Sequence, residues 1–183
     1  MPAISASAPG KIILCGEHAV VYDRAAIAVP VTQVSAKAIA TPNITGEPGS
    51  VHITAPEIDL DSPLAELPID DAIAKAVSET LAALGIEESP AFNLRVTSSI
   101  PLAAGLGSGA AVSVAVIRAV AAFNGRRLDD EQVSELAYEV EKIHHGTPSG
   151  IDNSVVTYAR PVCFRRGQLI ETLAVGGAFD FLI

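Results

Sequence analysis

The stretch from Ser108 to Phe123, SGAAVSVAVIRAVAAF, limits the possible folds more than any other part of the chain. It has the length of a helix, Arg118 is its only charged residue, and Asn124-Gly125 closes it. A helix that is apolar all round has no face to offer water, so it must be buried. The other elements have to cover it. A chain of 183 residues with 49% apolar content is long enough to build that core. The same run is too short to cross a bilayer, which needs about 20 apolar residues.

The covering elements read as mixed α and β. Short strands are expected at 3–7 and 11–15, broken by Ala8-Pro9-Gly10. Residues 25–40 alternate in part and suggest one or two strands with Pro30 at a bend or edge. Val51 to Thr54 is a short strand, and 41–68 is otherwise rich in turn formers. Residues 69–84 place Ile69, Ile73, Ala76, Val77, Leu81 and Leu84 on one helical stripe, ended by Gly85. Phe92, Leu94 and Val96 share one face of a strand over 91–98. Asp129 and Gln132 form a capping-box pattern ahead of a helix that buries Val133, Leu136, Ala137, Val140 and Ile143. Strands are expected at 154–159, 161–164 and 168–170. The final residues, Ala178 to Ile183, alternate like a strand that has just begun.

Charge and cysteine content exclude several function classes. The net charge is -9, and only the pairs Arg126-Arg127 and Arg165-Arg166 interrupt the acidity. A phosphate-tracking nucleic-acid surface is not expected. An anionic ligand would need local donors to hold it against this field. Cys15 and Cys163 lie in apolar, strand-like runs and read as two reduced core thiols. The first residues have no basic start followed by an apolar block, so a cytoplasmic location is expected, without membrane attachment.

Three segments could carry chemistry. Pro101 to Ala111, PLAAGLGSGAA, has glycines at 105, 107 and 109 and runs into a helix N-terminus. Such a loop lets backbone approach a phosphate and aims free N–H groups at it. It also reads as a tight strand-to-helix turn. His144 to Asn153, HHGTPSGIDN, places Asp152 on a constrained loop, as a general base requires, or as a plain turn former. Glu141, on the preceding helix, lies at the edge of the buried stripe, where it could reach a metal or simply be solvated. Pro9 to Tyr22, PGKIILCGEHAVVY, opens an apolar strand with Lys11 and ends it with Glu17-His18. These polar groups could face a substrate or lie at an ordinary sheet edge.

Taken together and in this order, the three segments resemble the GHMP family of small-molecule kinases, over nearly the whole chain. The Gly-Glu-His and His-Gly-Thr-Pro-Ser-Gly forms are similar to those of members acting on mevalonate. The resemblance implies an α+β fold of the ribosomal protein S5 domain 2-like type over 1–175. It implies that 176–183 begins a strand leading toward a C-terminal domain that lies beyond this chain. The implied activity is ATP-dependent phosphorylation of the 5-hydroxyl of mevalonate, with Mg2+. Other alcohol kinases, acting on homoserine or phosphomevalonate, and a non-catalytic nucleotide-binding fragment are the alternatives. By the same resemblance, Asp152 is the catalytic base and Lys11 its partner near the transferring phosphate. Glu141 and Ser108 fall on the metal positions. Glu17, His18, His145 and Thr147 fall at the substrate end. Pro101, Ala104, Gly105, Leu106, Gly107, Ser108, Gly109 and Ala110 form the ATP-phosphate loop. The expected partners are ATP and mevalonate, with a homodimer left open.

Two positions depart from the family pattern. Gly109 stands where many relatives have a second serine, and Asp23 stands where a glycine is usual.

Overall fold

The computed structural model describes residues 2–146, 148–168, 170–174 and 176–177. Seven strands form one sheet: β1 (Ile4–Cys15), β2 (Ala26–Pro42), β3 (Val51–Ala55), β4 (Leu60–Pro63), β5 (Phe92–Ser98), β6 (Val162–Phe164) and β7 (Glu171–Thr172). Four helices accompany them: α1 (Ala72–Ala83), α2 (Ser108–Phe123), α3 (Asp130–His145) and α4 (Ile151–Tyr158).

The long strand β2 organises the sheet. β1 pairs antiparallel along one side of it. On the other side β6 pairs with residues 26–28 and β5 with 36–42. Pro30 falls between these two stretches, where no partner on that side needs its missing N–H. The full order is β4-β3-β5-β2-β6-β7, with β3 and β5 parallel and the other pairs antiparallel.

The sheet buries one face. Ala36, Ala38, Ala40, Ile53, Phe92 and Leu94 are fully buried, while the alternate residues Lys37, Asn93 and Arg95 are exposed. The small alanines of β2 let α2 approach closely, and α2 itself contributes Ala110, Ala111, Ala115 and Ala119 to the same core. Phe92 and Phe123 close the far end with ring centroids 4.8 Å apart. Arg118, the one charge in α2, leaves the core at its tip. Its Nη2 donates to Asp130 Oδ1 at 2.7 Å and to the Thr157 carbonyl at 2.8 Å.

Several expectations hold locally. Asp129 Oδ1 accepts from the Gln132 N–H, and the Asp129 N–H donates to Gln132 Oε1, so the capping box is complete. Others are corrected. β1 is one strand through Ala8-Pro9-Gly10, with a register shift between Pro9 and Gly10, because an edge strand tolerates proline at a bulge. β4 lies within the stretch read as turns; four residues, LDSP, leave no periodicity to detect. Ile69 is 98% exposed and outside α1, which Asp71 caps by accepting the Ala74 N–H at 2.8 Å.

The segment 154–159 is not a strand: residues 154–158 are helical, as part of α4, and Ala159 caps it. Its β-branched residues are overridden by packing, since Ile151 and Val155, four apart, bury together against Val162 and Phe164. β7 falls at 171–172; of the strand expected at 168–170, Gln168 and Ile170 are not in a strand and residue 169 lies outside the described residues. Cys15 and Cys163 are free thiols, but Cys15 is exposed. Both pair with Ile27, which points away from the helices because its neighbours Ala26 and Ala28 point toward them. The strand expected at 178–183 lies outside the described residues. Among the described residues, no helix is long and apolar enough to cross a membrane.

Ala159 ends α4 in the left-handed region, with φ 49°. An alanine there is strained by roughly 1–2 kcal/mol, and glycine is not. Ala159→Gly should therefore raise stability by about 1 kcal/mol in chemical denaturation; a loss of stability would contradict the backbone reading.

Candidate active site

The cleft is assembled from four elements that meet at the N-terminal end of α2. Lys11 enters from β1. Its backbone N–H donates to the Leu106 carbonyl at 2.9 Å, which ties the strand to the glycine loop. Residues 101–105 of the loop are exposed, whereas the Leu106 side chain is buried in the core and holds the loop down.

The three glycines do different work. A Cβ on Gly107 would stand 2.7 Å from Lys11 Cγ, so this glycine makes room for the lysine stem. Gly105 and Gly109 would meet nothing within 4 Å, so both border open space. Gly105 and Gly107 also need left-handed backbone, with φ 72° and 70°. Gly107 caps α2 without any side-chain hydrogen bond, so the first N–H groups of the helix remain available to an anion.

Lys11 is nearly buried, at 6% exposure. Its Nζ lies 2.9 Å from Asp152 Oδ1. Asp152 occupies the first turn of α4 rather than a loop, after Gly150 turns the chain at φ 90°. Glu141 approaches from α3 and is 7% exposed. Burial, then the Asp152 charge, push its carboxyl up to about 8, and Lys11 opposes them in part.

These groups share a cleft of about 300 Å³. Its lining includes Lys11, Glu141 and Asp152 and the whole loop set Pro101, Ala104, Gly105, Leu106, Gly107, Ser108, Gly109 and Ala110. Glu17 and His18 are exposed on the turn after Gly16 and are not among the lining residues. The His145 side chain and Thr147 lie outside the described residues. Asp23, where the family resemblance leads one to expect glycine, adopts φ 57°, a left-handed backbone that glycine tolerates best.

Sequence reasoning did not assign Ala72, Ala103, Ser113 and Val140 to the site, and they also line the cleft. Ser113 lies four residues after Gly109, on the same helix face, and its Oγ donates to the Gly109 carbonyl at 3.0 Å. That spacing was a usable signal. Ala72, at the start of α1, is brought in by packing alone.

The donor set suits a hard divalent cation. Glu141 makes no ion pair or hydrogen bond among the described residues, while the Asp152 carboxylate is engaged by Lys11. No group of three or more His, Cys, Asp or Glu side chains gathers among the described residues. One buried carboxylate with the Ser108 hydroxyl at the cleft fits the habit of Mg2+, which takes few protein ligands and keeps water and phosphate oxygens.

A one-sided α+β domain that aims a helix N-terminus and an ion pair of a buried lysine with a half-buried aspartate into one cleft is the class these features define. Residues 71–160 match the family described as GHMP kinases N terminal domain. The mevalonate kinase of Thermococcus sibiricus is 33% identical over 192 residues, covering 94% of this chain and 54% of that protein. The crystal structure of the Methanococcus jannaschii mevalonate kinase superposes with a TM-score of 0.83 at 24% identity, over 95% of this chain and 56% of that one. The mevalonate kinase from Staphylococcus aureus MRSA252 gives 0.67 at 33% identity, over 94% and 56%. The chain belongs to the GHMP kinases and carries the N-terminal domain of that family. It spans about half the length of the curated relatives it matches.

Two outcomes follow from the site geometry. Gly107→Ala should cost about 2–4 kcal/mol, because it adds a clash with the Lys11 stem to backbone strain, while Gly105→Ala should cost only about 1 kcal/mol. Equal losses on denaturation would contradict the assignment of Gly107 to the lysine.

The second outcome concerns Glu141. Its folded pKa is raised, so the folded chain holds the proton more tightly than the unfolded chain. Stability is full below 4.5 and is lost as pH rises toward about 8. Glu141→Gln should therefore gain stability over the parent chain increasingly across that window, to the order of 2–4 kcal/mol, and level off above it. A difference that does not change with pH would remove the argument.

Proposed function

We propose that this chain takes part in the transfer of the γ-phosphoryl group of ATP to the 5-hydroxyl of mevalonate. The observation that carries the reading is the Lys11–Asp152 ion pair of 2.9 Å, set in the same cleft as the glycine loop and Glu141. The names of the relatives support the substrate assignment, and the Gly-Glu-His and His-Gly-Thr-Pro-Ser-Gly forms argue against homoserine or phosphomevalonate.

Phosphoryl transfer asks the protein mainly for positioning and charge stabilisation. Asp152 would orient the 5-hydroxyl and take its proton as the oxygen attacks the γ-phosphorus. The bond to the bridging β–γ oxygen breaks, and ADP leaves. Lys11 would neutralise charge on the transferring group. The N–H groups of Ser108, Gly109 and Ala110 would hold phosphate oxygens, with Gly105 allowing close approach. Glu141 and Ser108 would hold Mg2+, which when bound offsets phosphate charge and orients the triphosphate. Gly109 offers no hydroxyl, so the metal would rest on these two side chains and water. Glu17, His18, His145 and Thr147 remain proposed substrate contacts at the opposite end.

The test is ADP release by the chain with Mg2+-ATP and mevalonate, with homoserine and phosphomevalonate as controls. Mevalonate-dependent release is expected. Turnover with a control substrate only, or with none, would overturn the reading. Asp152→Asn should lower turnover by at least about 100-fold and leave ATP affinity, measured by calorimetry, nearly unchanged. A variant that keeps most of its turnover would remove Asp152 from its role.

A further inference from the structure

Asn153 follows Asp152 directly but takes no part in the cleft. Its side chain turns toward α3 and is 4% exposed. Its Nδ2 donates to both the carbonyl and the Oγ of Ser134, each at 2.9 Å. Its Oδ1 is buried and has no partner among the described residues. An unpaired buried carbonyl destabilises the fold, and an apolar side chain would avoid that cost. Stability alone therefore does not explain an amide at this position.

What the amide achieves is a fixed junction between two helices that both bear on the cleft. Ser134 lies on α3, seven residues before Glu141 and so two turns along nearly the same face. Asn153 lies in the first turn of α4, one residue from the carboxylate that meets Lys11. Among the described residues, few other side-chain hydrogen bonds link this end of α4 to its surroundings, although Ile151 packs in the core. Gly150 caps α4 with no side-chain bond, and Ser149 Oγ accepts the Ile151 N–H only at 3.3 Å. The far end is held separately, by Arg118 at the Thr157 carbonyl. Neighbouring residues on a helix point about 100° apart. A rotation of α4 that freed Asn153 from Ser134 would thus swing Asp152 away from Lys11.

We propose that Asn153 is a positioning residue: by bonding both oxygens of Ser134, its amide sets the rotation of α4 at which the Asp152 carboxylate meets Lys11. The catalytic meaning of that placement rests on the reading of Asp152 as the base.

The test is NMR of the chain carrying 15N-labelled lysine, following the Lys11 ammonium signal. Asp152→Asn, which removes the ion pair, defines the full displacement of that signal. Asn153→Val should move it by at least about half as far, and should lower turnover by about 10- to 100-fold with the KM for ATP within about twofold. Val156→Ala, a cavity elsewhere on α4, should destabilise the chain comparably and leave the signal in place. If Asn153→Val does not fold, Ser134→Ala removes one of the two acceptors and should give a smaller displacement in the same direction.

A Lys11 signal unmoved by the variants at 153 and 134, while Asp152→Asn displaces it, would overturn the proposal. A signal that Asp152→Asn fails to displace would also overturn it. Absence of mevalonate-dependent turnover in the parent chain would defeat the phosphotransfer reading instead, and the Lys11 signal would still decide the role of Asn153.

Discussion

The packing of α2 on the alanines of β2 is the contact on which the other features depend. Ala36, Ala38 and Ala40 present almost no side-chain bulk, so a helix equally rich in alanine can settle close to the sheet. That close approach seats the loop before α2 against β1, where the Lys11 N–H bonds the Leu106 carbonyl. α1, α3 and α4 then complete the enclosure of α2, and two of them bring carboxylates to its N-terminal end. Larger residues on β2 would lift the helix and open the gap that Gly107 and Lys11 now fill.

The electrostatics of the cleft follow from that enclosure. The chain is acidic overall, with a net charge of -9, so attraction for an anion must be local. It is supplied by the uncapped N–H groups of α2 and by one buried ammonium. Burial makes Lys11 costly unless paired, and Asp152 provides the pair. The same burial raises the Glu141 carboxyl by stripping it of water, and the Asp152 charge raises it further against the pull of Lys11. A group in that state is ready to exchange its proton for a cation.

Much of the fold could be read along the chain wherever a short-range rule decided the outcome. The all-apolar run of α2 declared its own burial, and Asp129 with Gln132 declared the start of α3. Reading failed where neighbours outside the window decided. Ser154 to Ala159 carries three β-branched residues in a row and looked like a strand, but Ile151 and Val155 bury on one side only when wound as a helix against β6. β4 exists because β3 offers it an edge, and its four residues carry no pattern of their own. In the cleft, the glycine loop and the Lys11 and Asp152 segments were visible separately, and resemblance to the family joined them. Ser113 had a helical spacing that could have exposed it, whereas Ala72 had none.

The sequence alone determined the helices α1, α2 and α3 and the apolar and glycine-rich segments, because propensity, periodicity and capping act over a few residues. It also carried the ordered motifs that place the chain among the GHMP kinases. Only the tertiary structure decided that Lys11 and Asp152 touch, that Glu141 is desolvated beside them, and that Gly107 yields its space to a lysine stem. It also decided that Asn153 reaches Ser134 instead of the cleft. Those facts depend on distances between residues far apart in the chain. Such distances are set by how closely whole elements pack, and no local rule encodes them.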